Sequence, residues 1–147
     1  MTVLGIDPGS SSGGLAWIFS DGRADAIPMP VTERDIWDAI NNSPPETRAV
    51  IEAVHSFPGQ GVASTFRFGM SYGGLRMALI AAGIPFIAVS PATWTRAMGL
   101  PTLKQAGTNT KLKNARKARC QELFPAIKAT HAISDALLIA SHGRTIQ

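Results

Sequence analysis

A mixed α/β fold is predicted for this chain: one five-stranded sheet with helices on both faces. Three observations predict it. The first thirty residues hold three short apolar runs with no helical pattern between them, which reads as antiparallel pairing. Two later apolar runs each follow a helical segment, as parallel strands require. The last third of the chain reads as helix.

The first strand, 2–7, is the run Val3, Leu4, Ile6. It ends in Asp7-Pro8-Gly9, where proline cannot continue a ladder and glycine permits a tight turn. Strands at 13–19 and about 23–29 flank Asp21-Gly22, a strong hairpin dipeptide. Thr32 is placed to cap a helix, with Asp35 three residues behind it and Ile36, Trp37 and Ile40 as its apolar stripe; Ser43-Pro44-Pro45 stops it. The fourth strand is 48–54. A long loop, 55–64, leads into a helix reaching about Ala82. Its Met70, Tyr72, Leu75, Met77, Leu79 and Ile80 are too many apolar groups for one stripe, which fits a dimer interface or a helix buried in a monomer. Strand 84–89 follows. Ser90-Pro91 then opens a short helix through Trp94 to Met98, an N-cap with proline at the first helical position. Gly99–Asn109 reads as a flexible basic loop, and helices at about 110–123 and 131–142 complete a single domain, 1–147. There is no uninterrupted βαβ repeat, so a dinucleotide-binding domain is not expected.

A length of 147 residues, 45% of them hydrophobic, supports one real core. No apolar run approaches a membrane span, and the N-terminus lacks the pattern of a secretion signal. The single cysteine, Cys120, excludes an internal disulfide and a cysteine-rich zinc site; it reads as a small buried hydrophobe in a reducing cytosol. The charge is uneven. Residues 1–100 carry six basic and eight acidic side chains, whereas residues 101–147 carry eight basic ones against Glu122 and Asp135. Such a segment suits a polyanion, with Lys104, Lys111, Lys113, Arg116 and Lys117 placed to neutralise phosphates; a solvated helix face is the plainer reading.

Three acids stand out by context. Asp7 ends a strand, Glu52 is the one carboxylate within an apolar strand, and Asp135 lies in an otherwise uncharged helical stripe of Ala132, Ile133, Ala136, Leu137 and Ala140. His131 precedes Asp135 by four residues and shares its face. If these segments meet, the clustered carboxylates require a cation. Oxygen ligands favour Mg²⁺ or Mn²⁺, and two such ions about 4 Å apart would suit phosphodiester hydrolysis. Asp7 as a simple turn residue is the competing reading.

At this point the residues resemble a family. Gly5-Ile6-Asp7-Pro8-Gly9, Ile51-Glu52-Ala53-Val54, Val89-Ser90-Pro91-Ala92-Thr93-Trp94 and the run His131 to Ala140 stand in the order of the RuvC-like Holliday junction resolvases. The segment from Pro58 to Gly69, rich in glycine and phenylalanine, is similar to the short members from phages and prophages. The resemblance covers nearly the whole chain. It implies a ribonuclease H-like fold and a Mg²⁺-dependent homodimeric endonuclease for four-way and other branched DNA. It makes Asp7, Glu52 and Asp135 metal ligands, and it implies a cytoplasmic location (a host's cytoplasm if the gene is a phage's). The family adds a fourth acid, or in some members a histidine, just before the last aspartate. Here His131 is the only substitute, as a ligand or as a proton-transfer group. The resemblance also sets a side chain near the loop after Glu52 against splayed bases; Phe57 is the expected aromatic, with Phe66 and Phe68 expected in packing.

Three further functions remain open on residues alone. Gly9-Ser10-Ser11-Ser12-Gly13-Gly14 could cradle phosphates as in a sugar-kinase-type ATPase, although such proteins need a second lobe. A branched-DNA binder without catalysis, or a nuclease preferring forks or flaps, would share most of these features.

Overall fold

The N-terminal apolar run becomes the central strand. In the computed structural model, which describes residues 1–146, β1 (Thr2–Asp7) pairs antiparallel with β2 (Gly14–Ile18), and β2 with β3 (Ala24–Pro28). On its other side β1 pairs parallel with β4 (Thr47–Glu52), and β4 with β5 (Phe86–Val89). The order β3-β2-β1-β4-β5 is a mixed five-stranded sheet with β1 at its centre. The β2–β3 turn uses Gly22 at φ 88°, a left-handed conformation that glycine adopts without steric cost.

Alternation along β1 sends its side chains to two different cores. Leu4 and Ile6 join Leu15, Trp17, Ile40, Ile51, Leu75 and Leu79 beneath α1 (Glu33–Asn41) and α2 (Val62–Ala81). Val3 joins Ala16, Val50, Trp94 and Leu137 on the opposite face. That face is covered by α3 (Pro91–Ala97) and α6 (His131–Ile146), with α5 (Asn109–Leu123) packed on α6. Helices therefore cover both faces, as expected. Thr32 caps α1 by accepting from the Asp35 amide, and Ser90 caps α3 by accepting from Thr93.

Glycine decides how closely α6 approaches the sheet. A Cβ on Gly5 would run into the Ala136 carbonyl and the Ala140 amide, and one on Gly14 would meet the Ala132 carbonyl. The helix backbone thus rests directly on β1 and β2.

Several expectations shift. The segment expected as a flexible loop, Gly99–Asn109, contains α4 (Leu103–Ala106), because Thr102 and Gln105 close a reciprocal capping box. The final helix runs to Ile146 rather than ending near 142, since His142 and Gly143 are themselves buried, with Gly143 close to Val3 and Val50. Strand β4 stops at Glu52, two residues early, as the chain leaves the sheet toward the loop carrying Phe57. Cys120 is fully buried, as expected.

Helix α2 has two apolar stripes. Leu75 and Leu79 face the core, whereas Phe66, Met70, Met77 and Ile80 are exposed at alternating four- and three-residue steps through Gly73. Phe66, expected in packing, is thus 68% exposed and lies on this open stripe; Phe68 is half-buried. The turn between α5 and α6 is held by a single side chain. The Gln121 amide donates to the carbonyls of Phe124, Pro125 and Ile127, and its carbonyl accepts from the Ala129 amide at 3.0 Å. No described helix is long and apolar enough to cross a membrane.

Candidate active site

Two parallel strands and one helix bring three acids to one end of the sheet. Asp7 closes β1 and Glu52 closes β4, neighbours in register through the Ile6–Ile51 pair. Asp135 comes from the first turns of α6, which the absence of side chains at Gly5 and Gly14 lets settle against both strands. Asp7, Lys113, His131, Ser134 and Asp135 line a cleft of about 280 Å³, with Ser11 and Ser12 of the β1–β2 loop on its rim.

Electrostatics mark the three as one group. Asp7 has its pKa pushed up to about 7, first by burial and then by the charges of Asp135 and Glu52; the Gly9 amide, donating to its Oδ1 at 3.2 Å, opposes the shift. Burial likewise raises Glu52 and Asp135, each against a donor that favours the carboxylate. For Glu52 that donor is the Trp94 indole N–H, 2.7 Å from Oε2. For Asp135 it is Arg116, whose Nη1 donates to Oδ2 at 2.7 Å. The Arg116 guanidinium also lies 5.2 Å from the centre of the Trp94 ring. Three raised carboxylates sharing a partly desolvated end of the sheet have the chemistry of a hard-cation site, and an all-oxygen donor set fits Mg²⁺ or Mn²⁺. Among the described residues, no three His, Cys, Asp or Glu side chains stand close enough together in this arrangement to hold a metal ion.

The other expected residues fall into two groups. His131 is exposed, lines the cleft, and favours ionisation of Asp135. Lys113 also lines the cleft, whereas Lys104, Lys111 and Lys117 are exposed on α4 and α5 outside it. Arg116 differs from them. The sequence places it among the phosphate-neutralising cations, yet its charge is turned inward onto Asp135 with about one fifth of the side chain exposed. Phe57 is 68% exposed on the loop after β4.

Sequence reasoning did not assign a site role to Trp94. A signal was present: a fully buried tryptophan needs an acceptor for its indole N–H, and Glu52 was an orphan carboxylate within an apolar strand.

The strand order and the helices on both faces define a ribonuclease H-like fold. Solved structures similar to this chain include RuvC of Thermus thermophilus. In complex with a Holliday junction substrate, that protein aligns over 99% of this chain and 96% of its own, with TM-score 0.66 and 18% identity. A second T. thermophilus RuvC structure covers 95% of this chain and 91% of its own, with TM-score 0.60 and 20% identity. The resemblance read from the four sequence blocks is thus present in the backbone. No protein-family model and no curated protein sequence matches the chain.

Proposed function

We propose that this protein is a metal-dependent endodeoxyribonuclease that cuts four-way junctions and related branched DNA by phosphodiester hydrolysis. The observation that carries this reading is the convergence of Asp7, Glu52 and Asp135 at one end of the sheet with their pKa values raised together. A turn residue, a strand residue and a helix residue with unrelated structural duties would have no reason to share that environment. Structural likeness to a RuvC bound to a Holliday junction supports the choice of DNA.

Asp7, Glu52 and Asp135 would hold Mg²⁺ or Mn²⁺, and His131 at the cleft mouth is the fourth candidate ligand. When bound, such ions supply an activated water and stabilise the leaving oxygen, the expectation for turnover being two ions. The chain's own groups do the rest. Lys113 neutralises a phosphate entering the cleft, while Lys104, Lys111 and Lys117 extend that grip along the strand. His131 is exposed and neighbours Asp135, a position from which an imidazole can carry a proton to or from the cleft. Phe57 is free to stack on an unpaired base at the branch point. The open stripe of Phe66, Met70, Met77 and Ile80 suits pairing with a second copy, which cutting two symmetric strands requires.

A nicking assay on labelled junction, fork and duplex DNA with Mg²⁺, Mn²⁺ or EDTA tests the proposal. Metal-dependent cuts on the junction are expected. Asp7→Asn and Glu52→Gln should lower the rate by about a thousandfold or more, the scale of removing a group that stabilises transition-state charge, while junction binding persists. Binding without cleavage under every metal would leave a non-catalytic branched-DNA binder.

A further inference from the structure

We propose that Arg116 is a resident cation that stands in for a second metal ion in the DNA-free site, so that the protein takes up one divalent ion before DNA arrives. The inference rests on the metal-site reading above and concerns how that site is filled.

Each of the three carboxylates has one oxygen already engaged by the protein. Asp7 Oδ1 accepts from the Gly9 amide, Glu52 Oε2 from Trp94, and Asp135 Oδ2 from Arg116. The second oxygen of each has no protein donor among the described residues. Three protein oxygens completed by waters suit one Mg²⁺, which keeps several waters in an octahedral shell. A second ion would need further carboxylate oxygen, and Asp135 Oδ2 is held by the Arg116 cation at 2.7 Å.

Charge points the same way. Asp7, Glu52 and Asp135 ionised carry three negative charges, and Arg116 leaves the charge of a single divalent ion to be supplied. Lys113 also faces Asp135, but its side chain is exposed, so solvent screens it and leaves it free to follow a phosphate.

The geometry of Arg116 is that of a placed cation rather than of a finished structural bridge. It engages Asp135 through one nitrogen, although an arginine–carboxylate pair built for stability is commonly bidentate. Its Nε is buried with no hydrogen-bond partner. A buried orphan donor costs stability and calls for an explanation other than packing. Trp94 supplies the explanation: the same ring binds Glu52 at its indole N–H and holds the guanidinium 5.2 Å from its centre. Arg116 is thereby fixed between two of the three acids and acts as a positioning residue.

The test is Mn²⁺ binding to DNA-free protein, read by calorimetry and by the electron paramagnetic resonance signal of free Mn²⁺. The native chain should bind one Mn²⁺ per protomer. Arg116→Met keeps the length and the contact with Trp94 but removes the charge. It should bind two, or bind the first at least tenfold more tightly, and Arg116→Lys should return to one. Melting in EDTA against Mn²⁺ gives a second readout, with the Arg116→Met protein less stable in EDTA and recovering more than the native chain on metal addition. Two Mn²⁺ per native protomer would overturn the inference, as would an Arg116→Met protein with native stoichiometry and affinity. If Arg116→Met does not fold, the native stoichiometry and the Arg116→Lys comparison still decide. Native protein that binds two ions and cuts junctions defeats this inference alone; native protein that binds no Mn²⁺ defeats the metal-site reading as well.

Discussion

The two faces of the sheet are packed by opposite means. On the α1/α2 face, large side chains fill the space: Leu4, Ile6, Leu15, Trp17, Leu75 and Leu79 are all buried. On the α6 face, side chains are absent at the closest points, and Gly5 and Gly14 let a helix backbone rest on two strands. A side-chain layer tolerates rearrangement, because rotamers and volumes can be exchanged within it. A backbone contact has no such slack. The face that delivers Asp135 to Asp7 is the one without slack, so the position of the third acid is set by glycine.

The difference can be broken in steps. The largest effect is expected from Gly5→Val, which forces α6 off β1. Overpacking against fixed backbone should cost about 3 kcal/mol or more in denaturant unfolding, and any folded fraction should lose Mn²⁺ affinity because Asp135 has moved. Leu79→Ala on the other face should cost a similar 2–5 kcal/mol by opening a cavity, yet leave Mn²⁺ affinity unchanged at a temperature where the protein is folded. Equal loss of metal affinity in both variants would dissolve the distinction.

Trp94→Phe is a smaller, local change. It keeps an aromatic ring under Arg116 but removes the hydrogen bond to Glu52 Oε2. Metal affinity should fall by about 10–100-fold, the usual scale for losing a partner that orients a ligand. A large fall in stability with native metal affinity would make Trp94 a core residue only.

The smallest effect concerns His142, which is buried on the α6 face with neither ring nitrogen partnered. Burial lowers its pKa below the ordinary histidine value of 6.5. The unfolded chain therefore takes up the proton first as the pH falls below about 6.5, and the folded state loses stability from there down to the lower folded pKa. Above that window the contribution is fully present. Thermal melts of His142→Leu across pH 5 to 8 should show a flatter profile than the native chain, with the gap between them constant above pH 7 and changing below it. Parallel profiles would remove His142 as a source of acid sensitivity.

Much of this was legible in the residues. Asp21-Gly22, Thr32 with Asp35 and Ser90-Pro91 are local signals, and local hydrogen bonds realise each of them. Asp7, Glu52 and Asp135 were legible because a carboxylate in an apolar context needs a reason. What escaped depends on contacts between distant segments. Nothing near Arg116 in the chain says that it pairs with Asp135 rather than with a phosphate, since the basic residues around it are exposed. Phe66 escaped because a second apolar stripe on α2 looks in one dimension like more core.

The Gln121 bridge has a mechanical consequence. Its four hydrogen bonds clamp the α5–α6 turn, and Arg116 joins the same two helices from the other side through Asp135. The two ties hold α5 against α6, so Lys111, Lys113 and Lys117 on one helix keep a fixed place relative to Asp135 on the other. Gln121→Ala would remove one tie and leave the other, so the register of the two helices would then rest on the Arg116–Asp135 pair and on packing.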